Sequence, residues 1–234
     1  MILNQLRVIA FDADDTLWAN QNYFEEAGEA YANLLAPYME PEELATTLLK
    51  IEQENSDIYG FGAKSFTLSM IETALKVSKY RVDQLKLQKM LQIGKNLLNM
   101  PILLLTDVEP VLQQIQAKGK YTLVLATKGD LNDQERKLER SGLTKYFDHV
   151  EIMSNKMPSD YENLLNKLDC KPEEFLMVGN SLKSDIIPVI KVGGYAAHIP
   201  YQLTWANEIV TEDFTHPNFQ VLGQLKDVLR YLPK

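Results

Sequence analysis

Arg7-Val8-Ile9-Ala10-Phe11-Asp12-Ala13-Asp14-Asp15-Thr16-Leu17-Trp18 is the stretch whose reading decides the fold. The apolar run Val8–Phe11, with two β-branched residues, reads as a buried strand. It delivers Asp12, Asp14 and Asp15 at its C-terminal end. Three carboxylates so close together repel one another, so the sequence asks for a cation among them or for an acid/base site. The bland alternative is a solvated acidic turn, and the residues downstream decide against it.

Beyond Trp18 the hydrophobic period changes from strand to helix as far as residue 100. Phe24, Ala27, Ala30, Leu34 and Leu35 form one stripe. A second follows Pro41, with Leu44, Leu48 and Ile51; a third carries Phe66, Met70, Ile71 and Leu75; a fourth carries Leu87, Met90, Leu91, Leu97 and Leu98. Four amphipathic helices between one strand and the next are too many for a crossover, so they are expected to pack on each other as an all-helical module. The Tyr59-Gly60-Phe61-Gly62-Ala63-Lys64 loop interrupts them with two glycines, two aromatic rings and a cation, a combination suited to close approach to a ligand or merely to an interhelical turn.

From Pro101 the chain alternates strand and helix. A helix from Val108 to Lys118 feeds a strand from Tyr121 to Ala126, which stops at Thr127-Lys128-Gly129-Asp130. A helix near Leu131–Arg140 precedes a short strand, Asp148–Met153, and a helix, Pro158–Leu168. Phe175–Val178 is a fourth strand ending in Gly179-Asn180-Ser181. Helix Asp185–Lys191, strand Tyr195–Ile199 and helix Val221–Tyr231 complete the pattern. Such alternation predicts a parallel sheet covered on both faces, with ligands at the carboxyl ends of the strands. Four strand ends then offer Asp12 and Asp14, Thr127, Lys156, and Asn180 with Asp185. Phosphoryl transfer needs a nucleophile, a proton donor, a cation and donors for the equatorial oxygens, and this set contains each. Asp15 and Lys183 read as solvated neighbours. Lys128 is a further candidate phosphate contact that no motif supports.

Composition narrows the partners. The 234 residues are 45% hydrophobic and 24% charged, as in an ordinary globular protein, and carry a net charge of −8. No basic cluster offsets that charge, which argues against nucleic-acid binding. A single cysteine, Cys170, leaves no internal disulfide and no zinc-type spacing, and the three histidines are scattered. No apolar run approaches the ~18 residues of a membrane span, and the N-terminus does not read as a signal peptide, so no membrane partner and a cytoplasmic location are expected.

The D-x-D-x-T string, with Thr127, Lys156 and the Asn180/Asp185 segment following in order, resembles the motifs of the haloacid dehalogenase superfamily, most of whose members are magnesium-dependent phosphohydrolases. The resemblance covers essentially the whole chain. It implies an α/β, Rossmann-like three-layer core with a parallel sheet over residues 1–18 and 101–234, and a helical cap over 19–100. It further implies that Asp12 is the nucleophile that forms an aspartyl-phosphate and Asp14 the general acid/base. Thr16 and Thr127 then contact the phosphoryl group, while Lys156 offsets its charge and that of Asp12. Asp12, Asp14 (through its main-chain carbonyl), Asn180 and Asp185 are the implied ligands of Mg2+.

Asn180 departs from the family pattern, which often has Gly-Asp at that strand end; it costs the metal site one negative charge and leaves open whether Asn180 or Asp185 binds directly. Asp14 argues against the dehalogenase branch, whose members typically lack it. The expected activity is hydrolysis of a small phosphorylated metabolite. Because the core groups all address the phosphoryl group, Phe61 and Lys64 in the cap are the candidates for telling substrates apart. A phosphomutase of the same superfamily is the nearest rival, and a non-catalytic phosphate-sensing or partner-binding protein is the rival from another class. A receiver-type regulatory domain is about half this length and lacks a helical insertion after its first strand. Oligomeric state is not readable from the sequence.

Overall fold

A computed structural model describes residues 3–233. The chain divides at Ala19/Asn20 and again at Pro101/Ile102 into two compact units. The unit Asn20–Pro101 is built from four helices: α1 (Gln21–Leu35), α2 (Pro41–Tyr59), α3 (Ala63–Val77) and α4 (Gln84–Leu98). Pro41 at the start of α2 has no N–H to orphan, and Glu42 and Glu43 lie favourably in its first turn. Asp83 caps α4 by accepting from the Lys86 N–H. The apolar stripes meet in one core that includes Tyr31, Leu35, Leu44, Phe66, Met70 and Met90. Only Gly60–Gly62 separate α2 from α3: of the loop expected over 59–64, Tyr59 ends one helix, whereas Ala63 and Lys64 open the next.

The other unit holds a six-stranded sheet in which every pairing is parallel, in the order β3-β2-β1-β4-β5-β6. Its strands are β1 (Val8–Phe11), β2 (Thr122–Lys128), β3 (His149–Met153), β4 (Phe175–Gly179), β5 (Tyr195–His198) and β6 (Phe219–Val221). The helices between them are α5 (Val108–Ala117), α6 (Leu131–Ser141), α7 (Pro158–Lys167) and α8 (Ile187–Lys191). β1 is buried on both faces: Ile9 and Phe11 enter one core with α5 residues Val111, Leu112 and Ile115, while Val8 and Ala10 enter another with Tyr161, Leu164 and Val189. Each such burial of a large apolar side chain contributes about 1.5–3 kcal/mol, which is why a four-residue strand can anchor the sheet. This is the three-layer α/β architecture expected, with β1 between β2 and β4.

Three expectations need correction. Val221–Tyr231 is not one helix: Phe219–Val221 forms a sixth strand at the sheet edge, and a 3₁₀ helix, Leu225–Tyr231, follows. The strand run and this short helix share no single period, so an apolar pattern spanning both reads falsely as a helix. The segment from Asp185 to Lys191 is also not uniform. It begins as a π-helical turn, Leu182–Ile186, before continuing as α8. Finally, Asp15 is buried rather than solvated, with a left-handed backbone (φ 61°). Lys183 is exposed and donates to the Asn207 carbonyl at 2.6 Å. Among the described residues, no helix is long and apolar enough to cross a membrane.

Candidate active site

The central strand aims the residue that follows it, Asp12, at the edge of the sheet where β2 and β4 also end. The Asp12 N–H donates to the Val178 carbonyl (2.9 Å), which continues the ladder one residue past β1 and fixes the direction of its side chain. Lys156, in the loop after β3, bridges two carboxylates: its Nζ lies 2.5 Å from Asp12 Oδ1 and 2.6 Å from Asp185 Oδ1. All three side chains are almost wholly buried. A charge so placed is stable only when paired. Burial, the largest influence, pulls the Lys156 ammonium down, yet the two carboxylates outweigh it and hold the lysine protonated well above its ordinary range. Burial pushes the Asp12 carboxyl up, against the lowering effect of Lys156.

Asp185 reaches this position because its neighbours leave room. Its second oxygen accepts from the Ser181 N–H (2.9 Å), and its carboxylate lies where a β-carbon on Gly179 would be, 2.3 Å from Oδ2. Thr16 donates to the other oxygen of Asp12 (3.1 Å). One end of the Asn180 amide lies 3.3 Å from Asp12 Oδ2 and 3.2 Å from both Thr16 Oγ1 and the Asp14 carbonyl oxygen. With nitrogen at that end the amide donates to all three. With oxygen there it accepts from Thr16 (3.2 Å) and stands beside a carboxylate oxygen and a carbonyl oxygen. The main chain of Asn180 is held in turn by His198 on β5, whose Nε2–H donates to the Asn180 carbonyl at 2.9 Å. Burial lowers the pKa of that imidazole.

Asp14 points elsewhere. Its carboxylate accepts from Trp18 Nε1 (2.7 Å), Gln134 Nε2 (2.9 Å) and Lys137 Nζ (3.0 and 3.1 Å). Gln134 and Lys137 lie on one face of α6, whose start is capped by Asp130 accepting from the Asp133 N–H. Thr127 is buried near the end of β2, paired with Ile152 on β3. The structure thus joins Asp12, Thr16, Lys156, Asn180 and Asp185 in one network, which the Asp14 main chain also reaches. Phe61 and Lys64 belong to the helical unit. Among the described residues, no three His, Cys, Asp or Glu side chains gather as a metal cage; the oxygens near Asn180 come instead from one carboxylate, one carbonyl, one hydroxyl and the amide.

Sequence reasoning missed Trp18, Gln134, Lys137, His198, Ser181, Ser184 and Glu208 as participants. The polar residues of α6 carry the pattern of a solvated helix face, and Glu208 ends a three-residue 3₁₀ helix, Ala206–Glu208, after β5. Neither has a period that would flag burial.

The haloacid dehalogenase-like hydrolase family profile matches residues 6–193. A haloacid dehalogenase-like family hydrolase from Xanthomonas campestris superposes with a TM-score of 0.86 and 34% identity, over 97% of this chain and 91% of that one. The glyceraldehyde 3-phosphate phosphatase of Methanothermobacter thermautotrophicus is 25% identical over 96% of this chain and its own full length. The N-acylneuraminate-9-phosphatase of Mus musculus is 25% identical over 80% of this chain and 79% of its own. The strand order, the network at the end of β1 and the extent of these matches agree: the chain belongs to the haloacid dehalogenase-like hydrolases.

Proposed function

We propose that this haloacid dehalogenase-like phosphatase hydrolyses a small phosphorylated metabolite, with Asp12 as nucleophile and Mg2+ as cofactor. The observation that carries the reading is the Lys156 ammonium fixed between Asp12 and Asp185 at the end of the central strand. A buried cation beside a carboxylate offsets the charge of an arriving phosphoryl group and keeps that carboxylate available for attack. The two curated relatives described above are named as phosphatases, of glyceraldehyde 3-phosphate and of N-acylneuraminate 9-phosphate, which supports the substrate class.

In this reading, a carboxylate oxygen of Asp12 attacks phosphorus and forms an aspartyl-phosphate while the bond to the leaving oxygen breaks. Asp14, once its carboxyl has left Lys137 and Gln134 and carries a proton, gives that oxygen the proton. Asp14, now ionised, takes a proton from water, whose oxygen attacks the aspartyl-phosphate; orthophosphate leaves and Asp12 is restored. Thr16 orients Asp12, and Thr127 donates to a phosphoryl oxygen. The oxygens around Asn180 suit a hard divalent cation: Asp12, the Asp14 carbonyl and Asn180 would hold Mg2+, with Asp185 supporting through Lys156 and the Ser181 N–H. When bound, that ion would neutralise negative charge on the phosphoryl group. Phe61 and Lys64 are the residues proposed to discriminate leaving groups.

The test is phosphate release from para-nitrophenyl phosphate with and without Mg2+, by the wild type and by Asp12→Asn. Turnover that needs Mg2+ and falls about a thousandfold or more in Asp12→Asn is expected. Wild-type turnover by Asp12→Asn would overturn the assignment.

A further inference from the structure

Beside the Lys156 network lies a second buried polar cluster that the scheme above does not use. Lys128, the last residue of β2, donates to Glu208 and, at 3.1 Å, to Ser184 Oγ. Glu208 also accepts from the hydroxyls of Ser181 and Ser184. The Lys128 ammonium stands 6.0 Å from the centre of the Trp205 ring. The Lys128 and Glu208 side chains are only 15% and 13% exposed, so this is a buried ion pair rather than a surface one. Trp205 and Glu208 come from the segment after β5, outside the stretch 6–193 that the family profile matches.

Position gives the cluster its meaning. β1 lies between β2 and β4, so a side chain from the end of β2 that bonds Ser184, in the turn that follows β4, links the two strands on either side of the one that ends at Asp12. Along β2, Val124 and Ala126 face the same core as Val8 and Ala10 of β1; two-residue alternation carries Lys128 and Asp12 onto that face. Ser181 and Ser184 lie between Asn180 and Asp185 in sequence, each next to one of them. A single carboxylate therefore ties the β2 lysine to the loop that carries the Asn180/Asp185 pair. Burial alone would raise the Glu208 carboxyl, but Lys128 and the two hydroxyls outweigh it and hold it below the ordinary carboxylate range.

We propose that Lys128 is a phosphate-binding residue and that Glu208 is its positioning residue, holding the ammonium near the carboxyl end of β1 so that it meets the negative charge of a bound phosphoryl group. This rests on reading that strand end as the phosphoryl site. A lysine is a point charge on a flexible stem, and immobilising it beforehand removes an entropic cost from each binding event. Glu208 makes this chain's phosphoryl site depend on a segment beyond the matched part of the family.

The experiment is a double-mutant cycle of Lys128→Met and Glu208→Gln in the full chain. Its readouts are the inhibition constant of orthophosphate, KM and kcat for para-nitrophenyl phosphate, orthophosphate binding by calorimetry, and Tm. Lys128→Met should weaken orthophosphate about tenfold and raise KM in step, with kcat changed less than about threefold. In the Glu208→Gln background the same substitution should have less than half that effect in free energy, because the lysine is no longer held. The double variant leaves no unpaired buried charge and serves if a single variant fails to fold.

Unchanged orthophosphate binding in Lys128→Met, or an equal effect in both backgrounds, would overturn the inference and leave the phosphatase reading standing. A parallel loss of kcat, affinity and Tm would show a structural role only and would also overturn it. Wild-type protein that neither hydrolyses the ester nor binds orthophosphate would overturn the phosphatase reading itself.

Discussion

Lys137 Nζ lies 3.0 Å from one carboxylate oxygen of Asp14 and 3.1 Å from the other, so a lysine from the middle of α6 holds the side chain assigned to proton transfer. The lysine side chain is 6% exposed and that of Asp14 22%. Removing one partner of such a pair strands the other, which costs more than the pair itself contributes. Lys137→Met should therefore lose about 1–3 kcal/mol of stability in urea titrations. Adding Asp14→Asn to that variant should recover at least half of the loss, since a neutral amide needs no cation. A double variant no more stable than Lys137→Met alone would show that the pair is not coupled.

How much of this was legible beforehand depends on whether a residue announces itself by period. The β1 run and the alternation after Pro101 did, because full burial demands unbroken apolar strands and helices with stripes. The strand ends therefore place Asp12, Lys156, Asn180 and Asp185 near one another from the sequence alone. Lys137 and Gln134 did not, since a polar pair one turn apart on a highly polar helix is indistinguishable from a solvated face until the helix is packed. Glu208 was invisible for a related reason: it is a lone carboxylate on a three-residue 3₁₀ helix, too short to show a period, whose partners, Lys128, Ser181 and Ser184, come from two other strand ends. β6 was missed because three partly exposed residues on a sheet edge carry too short a pattern.

The Asn180 amide brings no charge to the oxygen set, and Asn180→Asp puts a second carboxylate there, about where the amide now lies 3.3 Å from Asp12 Oδ2. Without a cation the two charges repel, so Tm in chelator should fall. With Mg2+ the added charge should tighten binding about tenfold by calorimetry, and Tm should rise above its chelator value by more than in the wild type. Unchanged or weaker Mg2+ affinity would show that Asn180 does not face the ion.

Glu52 on α2 has a carboxyl that burial pushes up to about 7, against an ordinary value of 4.5. The folded helical unit therefore favours the protonated form. Its contribution is fully present below pH 4.5 and is lost as pH rises through 7, amounting to about 2 kcal/mol after allowance for partial exposure. Glu52→Gln cannot ionise and escapes this loss. Stability curves at pH 5 and pH 8 should differ less for the variant than for the wild type, and at pH 8 the variant should be the more stable. An equal pH dependence in both proteins would place the titrating group elsewhere.

Gly179 is needed for its missing side chain, because a β-carbon there would lie 2.3 Å from Asp185 Oδ2 and 2.4 Å from its Cγ. Gly179→Ala forces the Asp185 carboxylate away, which breaks its bonds to the Ser181 N–H and to Lys156 and leaves Lys156 with Asp12 alone. A displacement of about 1 Å in a positioning group can cost a hundredfold in rate, so kcat/KM for para-nitrophenyl phosphate should drop about that far. Gly28→Ala on α1 is the control. A β-carbon at Gly28 would meet nothing within 4 Å, so this change should raise helix stability by about 0.5–1 kcal/mol without touching the site. If Gly179→Ala retains wild-type kcat/KM, the position of Asp185 beside Lys156 is not required for turnover, and Lys156 alone must provide the charge that Asp12 faces.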